Sequence, residues 1–338
     1  MTQVTDVTDE QNKGAIPVVI QETADYMQHT IFANPKHADL VHTCKERHPH
    51  CAYWKVIGEC EKNPTYMQKM CAPSCQTCHA LDYQEKCPLD KTAPVALPNP
   101  GDLNKLFTRM TTDEYFVEQY QPTILSQPNP DDATKDGPWV VTLDNFLSSD
   151  ECDRLVQLGH DIGYQRSGDT GKRNFDGTYS KAINAGRTSS NVFCQFACED
   201  DQVTKDVTAR IENITGVPQV NYEYLQLLHY EEGQFYNAHH DTTPYYLERQ
   251  FGHRIVTIFL YLNDVEGGGE TEFEKLGINV TAKKGKALVW PSVMDDNPLV
   301  ADGRTRHAAL NVTKGIKYGA NAWVHMGNFK DTYARGCI

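Results

Sequence analysis

Eleven cysteines, six of them crowded between Cys44 and Cys78, constrain this 338-residue chain more than any other feature. Thiols at that density in a short segment belong to disulfide frameworks, which form and persist in oxidising compartments. Spacing does not choose among the many pairings that six cysteines permit. Zinc is the other use of such a cluster, but His48, His50 and His79 show no finger-like spacing around it. Cys87, Cys152, Cys194, Cys198 and Cys337 lie outside the cluster. Cys194 and Cys198 can pair with each other or elsewhere, and an odd total leaves at least one thiol free or intermolecular.

The start of the chain disagrees with that compartment. Met1 to Glu10 is polar and acidic, with no positively charged segment leading into an apolar one, so it does not read as a secretory signal. The cysteines carry more weight. The expectation is the lumen of the endoplasmic reticulum or secretory pathway, with the leader or anchor absent from this chain. No run approaches the roughly eighteen apolar residues of a membrane span. A net charge of −13, from 45 acidic and 32 basic residues, repels phosphate backbones and argues against a nucleic-acid partner. The oligomeric state is not legible.

The length exceeds one average domain, so two modules are expected. Residues 1–43 show no clear period and read as a loosely packed lead-in. Residues 44–78 are the cysteine module. Residues 79–137 are rich in Pro, Asn and Asp and read as a linker, interrupted by one helix that Asp102 caps and whose Leu103, Leu106, Phe107 and Met110 share a face. Residues 138–338 read as one compact domain. It opens with a strand at Trp139–Leu143 and a helix capped by Ser148 or Ser149. Gln165–Gly186 is polar and Gly-rich and reads as a flexible loop, and Gln202–Thr215 as a second helix ending before Gly216. Strand-like runs then dominate: Val220–Tyr230, Arg254–Leu262, Thr271–Phe273, Ala287–Trp290, Arg306–Val312 and Tyr318–His325. Helices followed by many strands predict a mainly β (α+β) domain, a β-sandwich or jelly roll with supporting helices.

The segment with most chemical content is Tyr230 to Asp241. His239 and Asp241 are two apart, so on extended chain both side chains face one way, and His240 points away. A third ligand must come from a distant strand, and His307 is the candidate. Two imidazoles and one carboxylate form the facial triad of non-haem Fe(II). Its open positions accept a bidentate 2-oxo acid and O2, whereas a structural zinc site is closed by a fourth protein ligand. Lys317 follows His307 by ten residues. A hairpin centred near Val312 sets the two opposite each other on one face, where the ammonium pairs with the remote carboxylate of 2-oxoglutarate. Alternation from Lys317 puts Gly319, Asn321, Trp323 and His325 on the inner face.

Over about residues 139–327 the sequence resembles the prolyl 4-hydroxylase family of 2-oxoglutarate dioxygenases. The matching stretches run from Asn145–Cys152 through Arg187–Ser190, Leu225–Tyr230, Gly233–Tyr236, His239–Asp241, Arg254–Thr257, Tyr261–Asp264 and Gly268–Thr271 to His307, Lys317 and Trp323–His325. The resemblance implies a double-stranded β-helix (jelly roll), with His239, Asp241 and His307 as iron ligands. It implies Lys317 as the partner of the 2-oxoglutarate C5 carboxylate, with hydroxyl help from Tyr230 and Thr271. Tyr236, Arg254, Trp323 and His325 match positions lining the peptide channel. Oxygen-sensing prolyl hydroxylases and lysyl hydroxylases usually carry arginine where Lys317 stands.

The implied reaction is that of a procollagen-proline 4-dioxygenase-like enzyme. Peptidyl proline in proline-rich or collagen-like proteins becomes 4-hydroxyproline, using Fe(II), 2-oxoglutarate and O2, with succinate and CO2 as co-products and ascorbate as reductant. The cysteine module resembles an ShK-toxin-like (ShKT) domain, which implies Cys44–Cys78, Cys51–Cys71 and Cys60–Cys75. The competing readings are a dioxygenase acting on another residue or a free amino acid, and a catalytically inactive extracellular binding protein. Asn213-Ile-Thr, Asn279-Val-Thr and Asn311-Val-Thr are glycosylation triplets.

Overall fold

The computed structural model describes residues 2–129, 131–132, 136–174 and 177–338. Parts of the expected linker (130, 133–135) and of the expected loop (175–176) lie outside the described residues. Two compact units divide the chain. One comprises Met1–Leu89, Thr170–Ser180 and Cys337; the other comprises Asp90–Asp169, Lys181–Gly336 and Ile338. No helix among the described residues is long and apolar enough to cross a membrane.

The first unit is small and helical. Its disulfides are Cys44–Cys78, Cys51–Cys71 and Cys60–Cys75, with Cys87–Cys337 besides. The expectation of a loosely packed lead-in is corrected here. Ile16–Tyr26 is a helix that buries Ile16 and Val19 against Ala52, and Ile31 and Leu40 pack with Cys44, Ala72 and Cys78. The cysteine module is too small to hide its apolar side chains by itself, and the preceding residues cover them.

Along the chain the strands are, in order, β1 (Pro122–Ser126), β2 (Val140–Leu143), β3 (Gln165–Arg166), β4 (Asp169–Arg173), β5 (Tyr179–Ala182) and β6 (Ser190–Phe193), of which β4 from Thr170 and β5 up to Ser180 fall in the first unit and the rest in the second. There follow β7 (Gln226–Tyr230), β8 (Tyr236–His239), β9 (Arg254–Tyr261), β10 (Gly267–Gly268) and β11 (Thr271–Phe273). The last are β12 (Ile278–Val280), β13 (Ala287–Pro291), β14 (His307–Ala309), β15 (Val312–Lys314) and β16 (Lys317–His325). An eight-stranded sheet has the order β1-β2-β13-β9-β16-β7-β6-β3, and a four-stranded sheet has β12-β11-β14-β8. All their pairings are antiparallel. This is the jelly roll that the sequence predicts.

Alternation along the large sheet sorts its side chains into two cores. Leu227, Ile258, Leu260, Val289, Ala320 and Ala322 face a helical layer formed by Leu155, Leu158, Val207, Ile211 and their neighbours. Leu228, Tyr230, Phe259, Tyr261, Leu288 and Trp290 face the small sheet and meet Phe273, Val280 and Val312. Ser148 rather than Ser149 caps the Ser149–Ile162 helix, in a reciprocal capping box with Glu151.

Three further expectations are corrected. The linker after Asp90 belongs to the compact unit: helices Asp102–Thr112 and Glu114–Tyr120 bury Phe107, Met110 and Phe116 in the helix-side core, and β1 forms a sheet edge. Gly101, in the left-handed region, occupies the cap position expected of Asp102, which is instead the first helical residue. The polar segment 165–186 is not a featureless loop, because β4 and β5 pair within it. Its exposed strands bury little apolar surface, so hydrophobic alternation is absent from the sequence there.

Candidate active site

His239 ends β8 and His307 begins β14, directly opposite each other across that antiparallel pair. Asp241 lies two residues beyond His239. One ligand atom from each of the three lies within 4.8 Å of the others. Asp241 Oδ1 is 3.9 Å from His239 Nε2, and Asp241 Oδ2 is 3.7 Å from His307 Nε2. Each imidazole donates from Nδ1 to a carbonyl two residues back, His239 to Asn237 at 2.9 Å and His307 to Thr305 at 3.0 Å. A carbonyl only accepts, so Nδ1 carries the proton and each Nε2 keeps its lone pair for a metal.

The electrostatics agree. Burial, with the neighbouring imidazole, holds His239 well below its ordinary value, and burial likewise lowers His307. Burial opposes charge on Asp241 too, but its polar and charged neighbours, Arg254 and the Thr257 hydroxyl among them, outweigh it and hold the carboxyl below its ordinary value. Two neutral imidazoles and an ionised carboxylate are the donor forms that a ferrous ion takes, and no fourth protein donor joins them among the described residues. Asp241 is further held by the Thr257 hydroxyl, which donates to Oδ2 at 2.7 Å, and by Arg254 Nη1, which donates to its backbone carbonyl at 3.1 Å. His240 turns away, bonding the Asp302 carbonyl through Nε2.

Lys317 is wholly buried, yet not by the expected hairpin. It pairs with Tyr230 in the large sheet, whereas His307 lies in the small one, because β15 turns aside to pair with β10. The two residues therefore approach from opposite sheets, and the lysine charge contributes to lowering His307. Its Nζ donates to the Gly269 carbonyl at 2.7 Å and lies within 5.6 Å of the ring centres of Tyr230, Phe259 and Tyr261. No carboxylate is within ion-pairing distance among the described residues, and burial pushes the ammonium down to about 7. Thr271 is also buried and accepts a hydrogen bond from the Tyr261 hydroxyl at 2.8 Å. The Tyr230 phenol meets Ser189.

Tyr236 stacks on His239 with ring centres 3.6 Å apart and donates to Asp169 at 2.9 Å. Arg254 lies over the Trp323 ring at 3.5 Å. His325 is wholly buried, with both ring nitrogens engaged by the Gly252 carbonyl and the Glu223 carboxylate, so it stands behind the wall and not on it.

Four residues with no role assigned from the sequence complete the site. Glu223 accepts from Arg254 at 2.6 Å and from His325 at 2.7 Å, and these partners overcome its burial and hold it at about 2. Arg187 is buried over the Tyr236 ring. Thr257 and Tyr261 are in phase with Phe259 on one strand, a signal that alternation does contain. Glu223 shows only as a lone acid among Tyr222, Tyr224 and Leu225, and Arg187 carries no periodic signal, only its place in the matching stretch Arg187–Ser190.

The chain is similar to known families over two stretches. Residues 225–325 match the model of the 2OG-Fe(II) oxygenase superfamily, and residues 43–78 match the ShK domain-like model. Prolyl 4-hydroxylase 5 of Arabidopsis thaliana is 32% identical over 216 residues, covering 57% of this chain and 70% of that protein. Prolyl 4-hydroxylase 2 of the same plant is 30% identical over 233 residues, covering 62% and 74%. Among solved structures, the viral collagen prolyl hydroxylase of Paramecium Bursaria Chlorella virus-1, in complex with 2OG, aligns with 26% identity and a TM-score of 0.44, over 56% of this chain and 97% of that one. By its relatives and its oxygenase domain, the chain belongs to the prolyl 4-hydroxylase family of Fe(II)- and 2-oxoglutarate-dependent dioxygenases, and it carries an ShK-like module ahead of that domain.

Proposed function

We propose that this chain hydroxylates C4 of prolyl residues in proline-rich or collagen-like peptides, converting 2-oxoglutarate and O2 to succinate and CO2 in the process. The observation that carries the reading is a three-donor site faced, from the opposite sheet, by a buried lysine that has no carboxylate partner among the described residues. Fe(II), when held by His239, Asp241 and His307, supplies oxidative decarboxylation of the 2-oxo acid and delivery of one oxygen atom to a carbon–hydrogen bond.

The protein's part is ligation, orientation and exclusion of water. Lys317 pairs with the remote carboxylate of 2-oxoglutarate, and the hydroxyls of Tyr230 and Thr271 bind beside it. The aromatic ring beneath the ammonium keeps that end of the pocket dry, which strengthens the ion pair. Tyr236, Arg254 and Trp323 shape the wall that receives the peptide, and His325 acts through Glu223 to hold Arg254 in place. Polyproline II chain is already ordered before it binds, which suits an aromatic groove. Ascorbate serves as reductant, and the disulfides fit the lumen of the endoplasmic reticulum as the working compartment.

The test is a panel of proline-rich, collagen-like and proline-free peptides, read by succinate release and by peptide mass. Gain of one oxygen on proline, dependent on Fe(II) and 2-oxoglutarate, is the expected result. Oxygen gain confined to another residue or to a free amino acid moves the chain to another dioxygenase activity. No peptide-dependent turnover at all leaves a binding protein.

A further inference from the structure

Trp323, Thr257 and Trp290 lie side by side on β16, β9 and β13, paired in register across the centre of the large sheet. All three are buried, and both indole Nε1 atoms lack a partner among the described residues. The Thr257 hydroxyl is thus the donor in this row that reaches the Asp241 carboxylate, at 2.7 Å. Arg254 holds the other end of the same residue, through the Asp241 backbone carbonyl at 3.1 Å.

Arg254 and Thr257 are three residues apart, so on a regular strand they would face opposite sides. They share a side because the register slips there: Val324 pairs with Val256, and the next residue, His325, pairs with Arg254. Ile255 is the extra residue. In consequence Ile255 and Val256, neighbours in sequence, both pack into the helix-side core, and the Ile255 carbonyl accepts from Ser292 at 2.9 Å. A bulge of this kind re-aims a side chain next to an active site.

We infer that Thr257 is a positioning residue for the metal centre, the carboxylate half of a two-point clamp on Asp241 whose backbone half is Arg254, brought to the same face by the bulge at Ile255. This rests on the reading of His239, Asp241 and His307 as the iron ligands. The clamp fixes which way the carboxylate points before metal arrives. A β-branched threonine in the middle of a central strand suits the task, since its backbone and χ1 have few alternatives. The expected loss of metal affinity on removing the hydroxyl is about 10- to 100-fold, the range for partners of metal ligands.

The full chain is tested as Thr257→Val, Thr257→Ala and Thr257→Ser, with His307→Ala as reference. Affinity for Co(II) is measured by chelator competition, together with the Co(II) visible spectrum. The clamp predicts weakened binding and an altered spectrum in the Val and Ala variants, and near wild-type behaviour in Ser. If Val does not fold, the Ala and Ser pair decides. Val and Ala variants that bind Co(II) as wild type does, in a wild type whose binding His307→Ala abolishes, overturn the clamp alone. A wild type that binds no Co(II), or binds it regardless of His307, overturns the metal site and the clamp with it.

Discussion

Lys317 donates from Nζ to the carbonyl of Gly269 at 2.7 Å, with the ring centres of Tyr230, Phe259 and Tyr261 within 5.6 Å of it. A single neutral acceptor compensates a buried ammonium poorly, and burial lowers its pKa from 10.5 to about 7. Under the proposed function, the co-substrate carboxylate supplies the counter-charge. Lys317→Ala is therefore expected to weaken 2-oxoglutarate binding by about 10- to 100-fold, the worth of a charge-assisted hydrogen bond, while metal binding persists. Calorimetric titration of 2-oxoglutarate into the metal-loaded protein measures this.

The same group dictates a pH trend. In the free protein the ammonium is lost as pH rises through about 7, so 2-oxoglutarate affinity is expected to fall between pH 7 and 9. For stability the sign is opposite. Between about 7 and 10.5 the unfolded chain binds the proton and the folded one does not, so this residue destabilises the fold increasingly as pH drops through that window. Lys317→Met is expected to raise the melting temperature of the ligand-free protein near pH 6.5 while abolishing co-substrate binding. An unchanged or lower melting temperature contradicts the assignment.

Glu223 follows the carboxylate rule. Arg254 and His325 outweigh its burial and hold it at about 2 against an ordinary 4.5, so its contribution is present above about 4.5 and lost as pH falls toward 2. Glu223→Ala leaves Arg254 buried without its counter-ion and is expected to cost about 3–5 kcal/mol. Urea melts at pH 7 and pH 3.5 report both effects, because the gap between mutant and wild type narrows at the lower pH.

Cysteine chemistry is checkable without activity. Ten cysteines form the disulfides Cys44–Cys78, Cys51–Cys71, Cys60–Cys75, Cys87–Cys337 and Cys194–Cys198, and Cys152 is the free thiol. Burial raises that thiol to about 11. Thiol titration is expected to find no reactive group in the native protein and one per chain after denaturation without reductant.

Cys87 and Cys337 close a loop with a sequence separation of 250. Replacing both by Ser is expected to cost on the order of 5 kcal/mol by chain entropy, visible as a large drop in melting temperature. A drop no larger than that from opening Cys194–Cys198, whose separation is 4, contradicts the entropic account.

Local pattern made much of this protein legible. Alternation holds in Thr271–Phe273, while Lys317–His325 is buried on both faces, with Lys317, Gly319, Trp323 and His325 inside as expected and Asn321 only half-buried. The two-residue spacing of His239 and Asp241 places both donor side chains at one point of a strand end. Failures cluster where no alternation exists. The hairpin in 165–186 has no buried face to write into the sequence, and the lead-in helix at Ile16–Tyr26 opens on an unbroken apolar run, Ile16–Ile20, of which only Ile16 and Val19 are buried, so no helical period marks it.

The residues alone determined which donors are available: two imidazoles, one carboxylate, one lysine, and six cysteines in a segment that needs cross-links. Tertiary structure decided how they meet. His307 and Lys317 lie on opposite sheets because β15 pairs with β10 and not back along β14, and Arg254 joins Thr257 on Asp241 because one extra residue at Ile255 reverses the alternation. Both outcomes depend on backbone hydrogen-bond register, which is set by pairing between strands distant in the chain and leaves no periodic trace in either one.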